Sequence, residues 1–273
     1  MNSQTLVMTR DEVTTFLAII GVTTMNGMEE EPLAGLDERE ITERLNSGEQ
    51  SLINRGLLEL TGQGEAVLDD TLVALVGASA VPDATFLLSL VNPDGSNDPH
   101  YFNATPELLV EHYSPRVGIH QFDYLPDLPA VSARVQTLLA ALPSGVPPAD
   151  GVDLQVDSAI LASFVELAQD KALDAAHAVL VDAGISDLAV STLLADYTTY
   201  PSWVSVAAWD LRSQEPQGGK TVMVIGSAGC GWLLENVARD SDMVRLRQAN
   251  NVECSEALMR LLEPLKQTYQ PSA

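Results

Sequence analysis

The spacing of apolar positions divides the chain into two stretches that follow one order. In the first, Val13, Phe16, Leu17 and Ile20 recur at helical intervals behind Asp11, which is placed to cap them, and Gly21 follows as a stop. A second helix is predicted from about Asp37 to Arg55. Its apolar face is Ile41, Leu45, Leu52 and Ile53, and Gly56 supplies the residue that turns left-handed after it. A short extended piece and a Gly-rich turn lead to a third helix, which Asp69-Asp70 favours at its start and Pro82 ends. The period then changes from 3.6 to 2. Ala84 to Val91 is an apolar run of strand length, and NPDGSNDP is a dense turn cluster. HYFNAT, ELLVEHY and VGIHQFDYL read as an antiparallel meander, with a helical turn at PELLVEHY as the alternative. A helix from about Pro129 to Leu142 closes the unit.

The second stretch repeats this order. Helices are predicted from about Asp157 to Ala168, Leu173 to Ala183 and Leu188 to Asp196. A strand, WVSVAAWDLR, opens after Pro201, as one opened after Pro82. The turn cluster SQEPQGGK and three apolar stretches, TVMVIGS, GWLLENV and DMVRLRQ, precede a last helix from about Glu253 to Lys266. WVSVAAWDLR is apolar on both faces, so it belongs in the middle of a sheet covered on both sides. The landmarks correspond: Gly56-Leu57 with Gly184-Ile185, Pro82 with Pro201, and Leu138-Leu139 with Leu261-Leu262. The predicted fold is α+β, with two pseudo-repeated helix–antiparallel-strands–helix units sharing a central sheet with flanking helices. Residues 1–142 form the first unit, PSGVPPADG (143–151) a linker and 152–273 the second, within one domain overall.

Charge narrows the function. Fourteen Lys and Arg against 38 Asp and Glu give a formal net charge of −24. Phosphate binding rests on Lys and Arg, so nucleic acid is excluded as a main ligand, and anionic membrane surfaces are disfavoured. Asp11 and Glu12 precede the apolar stretch Phe16 to Val22, which is not the order of an export signal. The weakly charged region Thr71 to Val91 is broken by Pro82-Asp83, so no membrane span of about 20 residues forms there. Cys230 and Cys254 fit no metal spacing and read as two free thiols of a cytoplasmic protein.

Catalytic patterns are weak. TVMVIGSAGCGWLLENV imitates a nucleotide-binding turn, but its glycines stand as G-x-x-G-x-G, and a hairpin turn explains them better. Ser227 is in no nucleophile elbow, and the spacing brings no base to Cys230. His100, His112 and His120 fall in the first strand cluster. His112 and His120 meet across the Ser-Pro-Arg turn in a meander, with Asp98 or Glu111 as neighbours that would complete a metal site. No HxH or HxxxH spacing supports one, so no metal, cofactor or catalytic residue is assigned.

The segment LINRGLLELTGQGEAVLDDTLVALVGASAVPDATFLLSL, preceded by helices, resembles the EspG family of type VII (ESX) secretion-associated proteins, as does the closing DMVRLRQANNVECSEALMRLLEPL. The resemblance covers most of the chain as pattern, without a residue-level motif. It implies a quasi-two-fold α/β fold with a central antiparallel sheet and flanking helical bundles. It also implies a chaperone role toward secreted helical PE–PPE pairs, and carries over no binding residue.

The expected function is thus a non-catalytic cytosolic protein-binding module, a secretion-associated chaperone or adaptor for helical partners. The alternative is an enzyme or small-ligand sensor with a site at the sheet edge. Aromatics concentrate in the strand-rich segments, at Tyr101, Phe102, Tyr113, Phe122, Tyr124, Trp203, Trp209 and Trp232, where most serve the core. The alternation of HQFDY puts His120, Phe122 and Tyr124 on one face, the candidate partner-binding row.

Overall fold

The computed structural model describes residues 4–28, 32–62, 65–91, 96–139, 152–199, 203–212, 217–225, 231–236 and 242–270. Strand β1 (Thr5–Thr9) runs directly into α1 (Arg10–Ile20). Helix α2 (Glu38–Asn54), a hairpin of β2 (Leu58–Leu60) and β3 (Ala66–Leu68), and α3 (Asp70–Ala80) follow. Four strands come next, β4 (Ala84–Val91), β5 (Asn97–Ala104), β6 (Leu109–Arg116) and β7 (Ile119–Leu125), closed by α4 (Leu128–Leu139).

The remainder follows the same order. Strand β8 (Asp153–Asp157) leads into α5 (Ser158–Gln169), α6 (Leu173–Asp182) and α7 (Asp187–Thr199). Then come β9 (Trp203–Asp210), β10 (Gln217–Ile225), β11 (Gly231–Asn236) and β12 (Met243–Ala249), with α8 (Asn251–Arg260) and α9 (Glu263–Thr268) at the end. The architecture is α+β, as expected.

Ten antiparallel strands make one sheet in the order β1-β7-β6-β5-β4-β9-β10-β11-β12-β8. The order is the same read from either edge, with β4 and β9 at the middle. Two copies of one unit meeting at β4 and β9 would give this order. It is a statement of topology, and by itself does not establish duplication. The central placement of WVSVAAWDLR is observed: β9 pairs with β4 on one side and β10 on the other.

Several boundaries differ from the sequence expectation. The first helix is capped by Thr9 rather than Asp11. The Thr9 side chain accepts from the Glu12 amide, and the Glu12 side chain accepts from the Thr9 amide, a reciprocal pair of the kind a T-x-x-E sequence signals. Strands β1 and β8 were not anticipated. LVEHY of the ELLVEHY segment opens β6, which runs on through Ser114, Pro115 and Arg116, and residues 97–99 and 217–220 of the two expected turn clusters begin β5 and β10. The last helix is two, parted at Leu261–Leu262, with Pro264 in the first turn of α9. The expected linker, 143–151, and Cys230 with its Gly-rich turn, 226–230, lie outside the described residues.

The two sheet faces are covered differently. Ala84, Phe86 and Leu88 of β4 and Val204, Val206 and Ala208 of β9 share a core with Val131 and Val135 of α4 and with Leu258, Leu261, Leu262 and Leu265 around α8 and α9. The opposite face carries two separate cores. Helices α1, α2 and α3 bury Phe16, Leu52, Leu72 and Leu75 against Leu6, Met8, Val110 and Phe122 at one end. Helices α5, α6 and α7 bury Phe164, Leu180, Val190 and Leu193 against Val156, Trp232, Leu234 and Leu246 at the other.

Candidate functional site

Side chains alternate between faces along a strand, so the odd-numbered residues of β4 and β9 point toward the face that carries the two bundles. Register pairs them as Thr85 with Trp209, Leu87 with Ala207, and Ser89 with Ser205. Leu87, Ser205, Ala207 and Trp209 are partly exposed, and Tyr101 of β5 stands opposite Leu87. The middle of the sheet therefore keeps a partly exposed strip, with Leu87 and Ala207 side by side between the bundles.

On the same face, two strands beyond β9, an open groove of about 410 Å³ runs along α5. Ser158, Leu161, Ala162, Val165, Glu166 and Gln169 line one wall and Leu234 of β11 the floor. The helix residues are spaced three and four apart, so they form one stripe. Leu161 and Leu234 are themselves nearly buried; the stripe above them, from Ser158 through Ala162 to Gln169, is exposed. Such a furrow, apolar below and polar at the rim, suits the apolar stripe of a helix.

The corresponding helix of the first half offers no such stripe. Residues 12–17 of α1 are all buried. Gly48 lets α2 lie directly on it, since a Cβ there would strike the Asp11 carbonyl and the Thr15 hydroxyl. Glu12 fixes the contact, accepting from Ser51 Oγ at 2.6 Å and Arg55 Nη1 at 2.8 Å. Burial would raise the Glu12 carboxyl, but the Ser51 hydroxyl, the Thr9 amide and the Arg55 guanidinium outweigh it and hold the carboxyl below the usual range.

The sequence-derived row faces inward. Phe122 is fully buried in the α1–α3 core and His120 is buried beside it; only Tyr124 of the three is partly exposed. The alternation was read correctly, but the face it selects is covered by helices distant in sequence. In this conformation Tyr124 is the member of the row that reaches solvent. Trp232, like Phe122, is fully buried, donating its indole N–H to Asp196 of α7 at 2.8 Å.

The three histidines of β5, β6 and β7 form two clusters on opposite faces, and His177 of α6 stands apart beside Ser191 and Asp187. His112 Nε2 lies 3.1 Å from His120 Nδ1, so the two meet as expected, although Ser114, Pro115 and Arg116 belong to β6 and the turn is Val117-Gly118. His112 Nδ1 faces the Asn26 carbonyl at 3.1 Å, so it carries the proton there and the bare Nε2 accepts from His120. The ring stacks on Phe122 at 4.5 Å between centroids, and Gly27 closes over it, where a Cβ would sit 2.6 Å from the ring. Burial lowers the His112 pKa to about 3, a nearby His120 charge adds to this, and the Asn26 carbonyl opposes it. Asp98 and Glu111, suggested as further ligands, pair instead with His100, at 3.5 and 2.6 Å. Arg134 of α4 completes that cluster through both Glu111 oxygens. Among the described residues no group of three His, Cys, Asp or Glu is arranged to hold a metal ion. None of the described helices is long and apolar enough to cross a membrane.

Comparison with solved structures now bears on this geometry. Over 99% of this chain and 100% of the other, the fold matches the type VII secretion system chaperone EspG5 of Mycobacterium tuberculosis, determined in complex with a PE25–PPE41 dimer, with a TM-score of 0.63. The chain shares the EspG5 fold. Identity over the match is 13%, so the likeness is one of architecture, and the resemblance read from LINRGLLELTGQ and the closing segment holds at that level. No family model and no curated protein matches the sequence. The sequence missed the groove on α5 because its apolar positions, Leu161, Phe164, Val165 and Ala168, predict only that α5 is amphipathic. Which part of the stripe stays uncovered depends on how α6 and α7 pack.

Proposed function

We propose that this chain is a non-catalytic cytoplasmic chaperone or adaptor that holds a helical protein partner through the C-terminal bundle and the adjoining strip of the sheet. The observation that carries this is the open apolar groove along α5, in a chain whose fold matches end to end a chaperone seen holding a protein dimer. An amphipathic helix or helical hairpin would bury its apolar side chains against Leu161, Val165 and Leu234. It would meet Glu166, Gln169 and Ser158 at the rim. The acidic surface favours a partner that is neutral or basic around its contact stripe. Secretion-associated substrates of the PE–PPE kind are the partner class that the likeness to EspG5 suggests. The division into two units joined near 143–151 is part of the same reading, with the second unit as the binding one.

The test is affinity capture from the source cell by the wild-type chain and by Val165→Arg, each first checked for a native melting curve. A helical export substrate held by the wild type and lost by V165R supports the proposal. The same substrate held equally by both removes the groove from the interface. Capture of no export substrate by the wild type contradicts the chaperone role.

A further inference from the structure

The two outer strands of the sheet occupy matching positions, yet among the described residues side chains cap part of one edge and leave the other bare. In β1, Arg10 donates to Gly118 and Tyr124 donates to Gln4, so pairing with β7 uses the even-numbered residues and the odd ones turn outward. Side chains of the N-terminal bundle reach two of these outward groups. Arg55 Nη2 donates to the Val7 carbonyl at 2.9 Å, and Glu12 accepts the Thr9 amide at 2.8 Å.

In β8 the phase is the same. Ser158 donates to Asp242 and Gln248 donates to Val152, so the even-numbered residues pair with β12 and Asp153, Gln155 and Asp157 turn their amides outward. Asp157 caps α5 as Thr9 caps α1, but its third helical residue is Ile160 rather than a glutamate, so no carboxylate returns to the Asp157 amide. Among the described residues, nothing bonds the outward amide or carbonyl of Gln155. A polar trough of about 480 Å³ adjoins the strand, lined by Asp153, Leu154, Gln155, Glu235, Asn236 and Arg245.

We infer that the β8 edge accepts an extended, basic peptide segment as an eleventh strand of the sheet. An added strand would bond to the outward groups of Asp153 and Gln155 and to the Asp157 amide, as strand addition to an exposed edge does elsewhere. Charge selects the occupant. Asp153 and Asp157 stand two residues either side of Gln155, all three on one face. In a second copy pairing antiparallel about Gln155, each Asp153 would lie opposite an Asp157, and like charges directly opposite are destabilising. A strand with Lys or Arg at alternate positions sets one cation beside Asp157, while at Asp153 it shares the carboxylate with Arg245 and has Arg247 in register. Asp153 already holds Arg245 through both oxygens, so Asp157 is the stronger selector of the two.

The test uses a five-residue peptide of alternating Lys and Val, acetylated and amidated, against the whole chain. Backbone amide shifts and hydrogen exchange read the site. The expected result is shifts confined to Asp153–Asp157 and the facing trough, at least tenfold slower exchange at Gln155, and no change in β1. An analogue methylated on the two backbone nitrogens that face the strand should bind at least tenfold more weakly, as should the Glu–Val counterpart. Gln155→Pro, which removes one outward amide, should weaken the Lys–Val peptide similarly. The methylated analogue leaves the protein unaltered, so it decides the matter even if Q155P does not fold. Equal affinity for the methylated peptide, shifts spread over the acidic surface, equal response at β1, or a dimer formed through β8 by the protein alone would each overturn the inference.

Discussion

The N-terminal and C-terminal bundles stand on the same sheet face at matching positions, and they differ in what they leave uncovered. Around α1, the Glu12 carboxylate joins Thr9, Ser51 and Arg55 in one network, Gly48 brings α2 into close contact, and the β1 edge is capped by the same side chains. Around α5 there is no counterpart to Glu12. Among the described residues, a stripe from Ser158 to Gln169 stays open, and so does the edge of β8. One topology thus supports a closed structural end and an open end where association has groups to use. The buried Glu12 carboxylate caps the Thr9 amide at the β1 edge, and α5 has Ile160 at the equivalent position.

The strongest way to break the comparison is in the closed half. Phe122→Ala removes a fully buried ring from the α1–α3 core and from its stack on His112. It should cost about 3–5 kcal/mol in urea unfolding. A loss below about 1 kcal/mol would mean the ring is not packed as described. Next in size is Glu12→Ala, which leaves Ser51 and Arg55 without their acceptor and frees the β1 edge. A loss of about 3 kcal/mol is expected, with faster exchange of the Thr9 amide. Exchange at Thr9 unchanged by E12A would show that the carboxylate is not what closes the edge.

Acid sharpens the same contrast. His112 has its pKa lowered from 6.5 to about 3 in the folded chain, so the unfolded chain binds the extra proton first as pH falls. Its contribution is complete above pH 6.5 and is lost progressively below it, at up to about 1.4 kcal/mol per pH unit. Between pH 6.5 and 5 the chain should lose about 1–2 kcal/mol, and His112→Gln should flatten that slope. The depressed carboxyls Glu12 and Glu111 contribute above their unfolded value, near 4.5, so their share is lost only as pH falls below it. A slope the same in H112Q as in wild type would place the titrating group elsewhere. The smallest effect belongs to the open half. Val165→Arg should cost about 1 kcal/mol, because the side chain is only partly buried against the C-terminal core and borders an open groove.

Much of this fold was legible because its helices are periodic and its caps are local. Asp37 and Asp69 cap α2 and α3 where the sequence placed their starts, whereas Asn97 to Pro99, Ser114 to Arg116 and residues 217–220 of the expected turns belong to strands. Strands β1 and β8 were hidden because TLVMT and DLQVD are five residues long and pass into a helix without a turn. The capping box that marks the first junction, Thr9 to Glu12, was overlooked in favour of Asp11. Of the site, the alternation of His120, Phe122 and Tyr124 was readable, as was the meeting of His112 with His120. Which face the helices cover was not, because that depends on α1 and α3, which lie far from β7 in sequence. The groove and the open edge are absences of packing, and a local pattern carries no signal for a neighbour that fails to cover it.

The central claim is that the open, C-terminal half receives the partner while the N-terminal half supports the sheet. Hydrogen exchange across the whole chain, measured alone and with the captured export substrate bound, tests it most directly. The account predicts slowed exchange along α5, from Ser158 to Gln169, and at the central strip around Leu87 and Ala207, with α1 and α2 unchanged. Protection confined to α1, α2 and α3, with α5 exchanging as in the free chain, would contradict it.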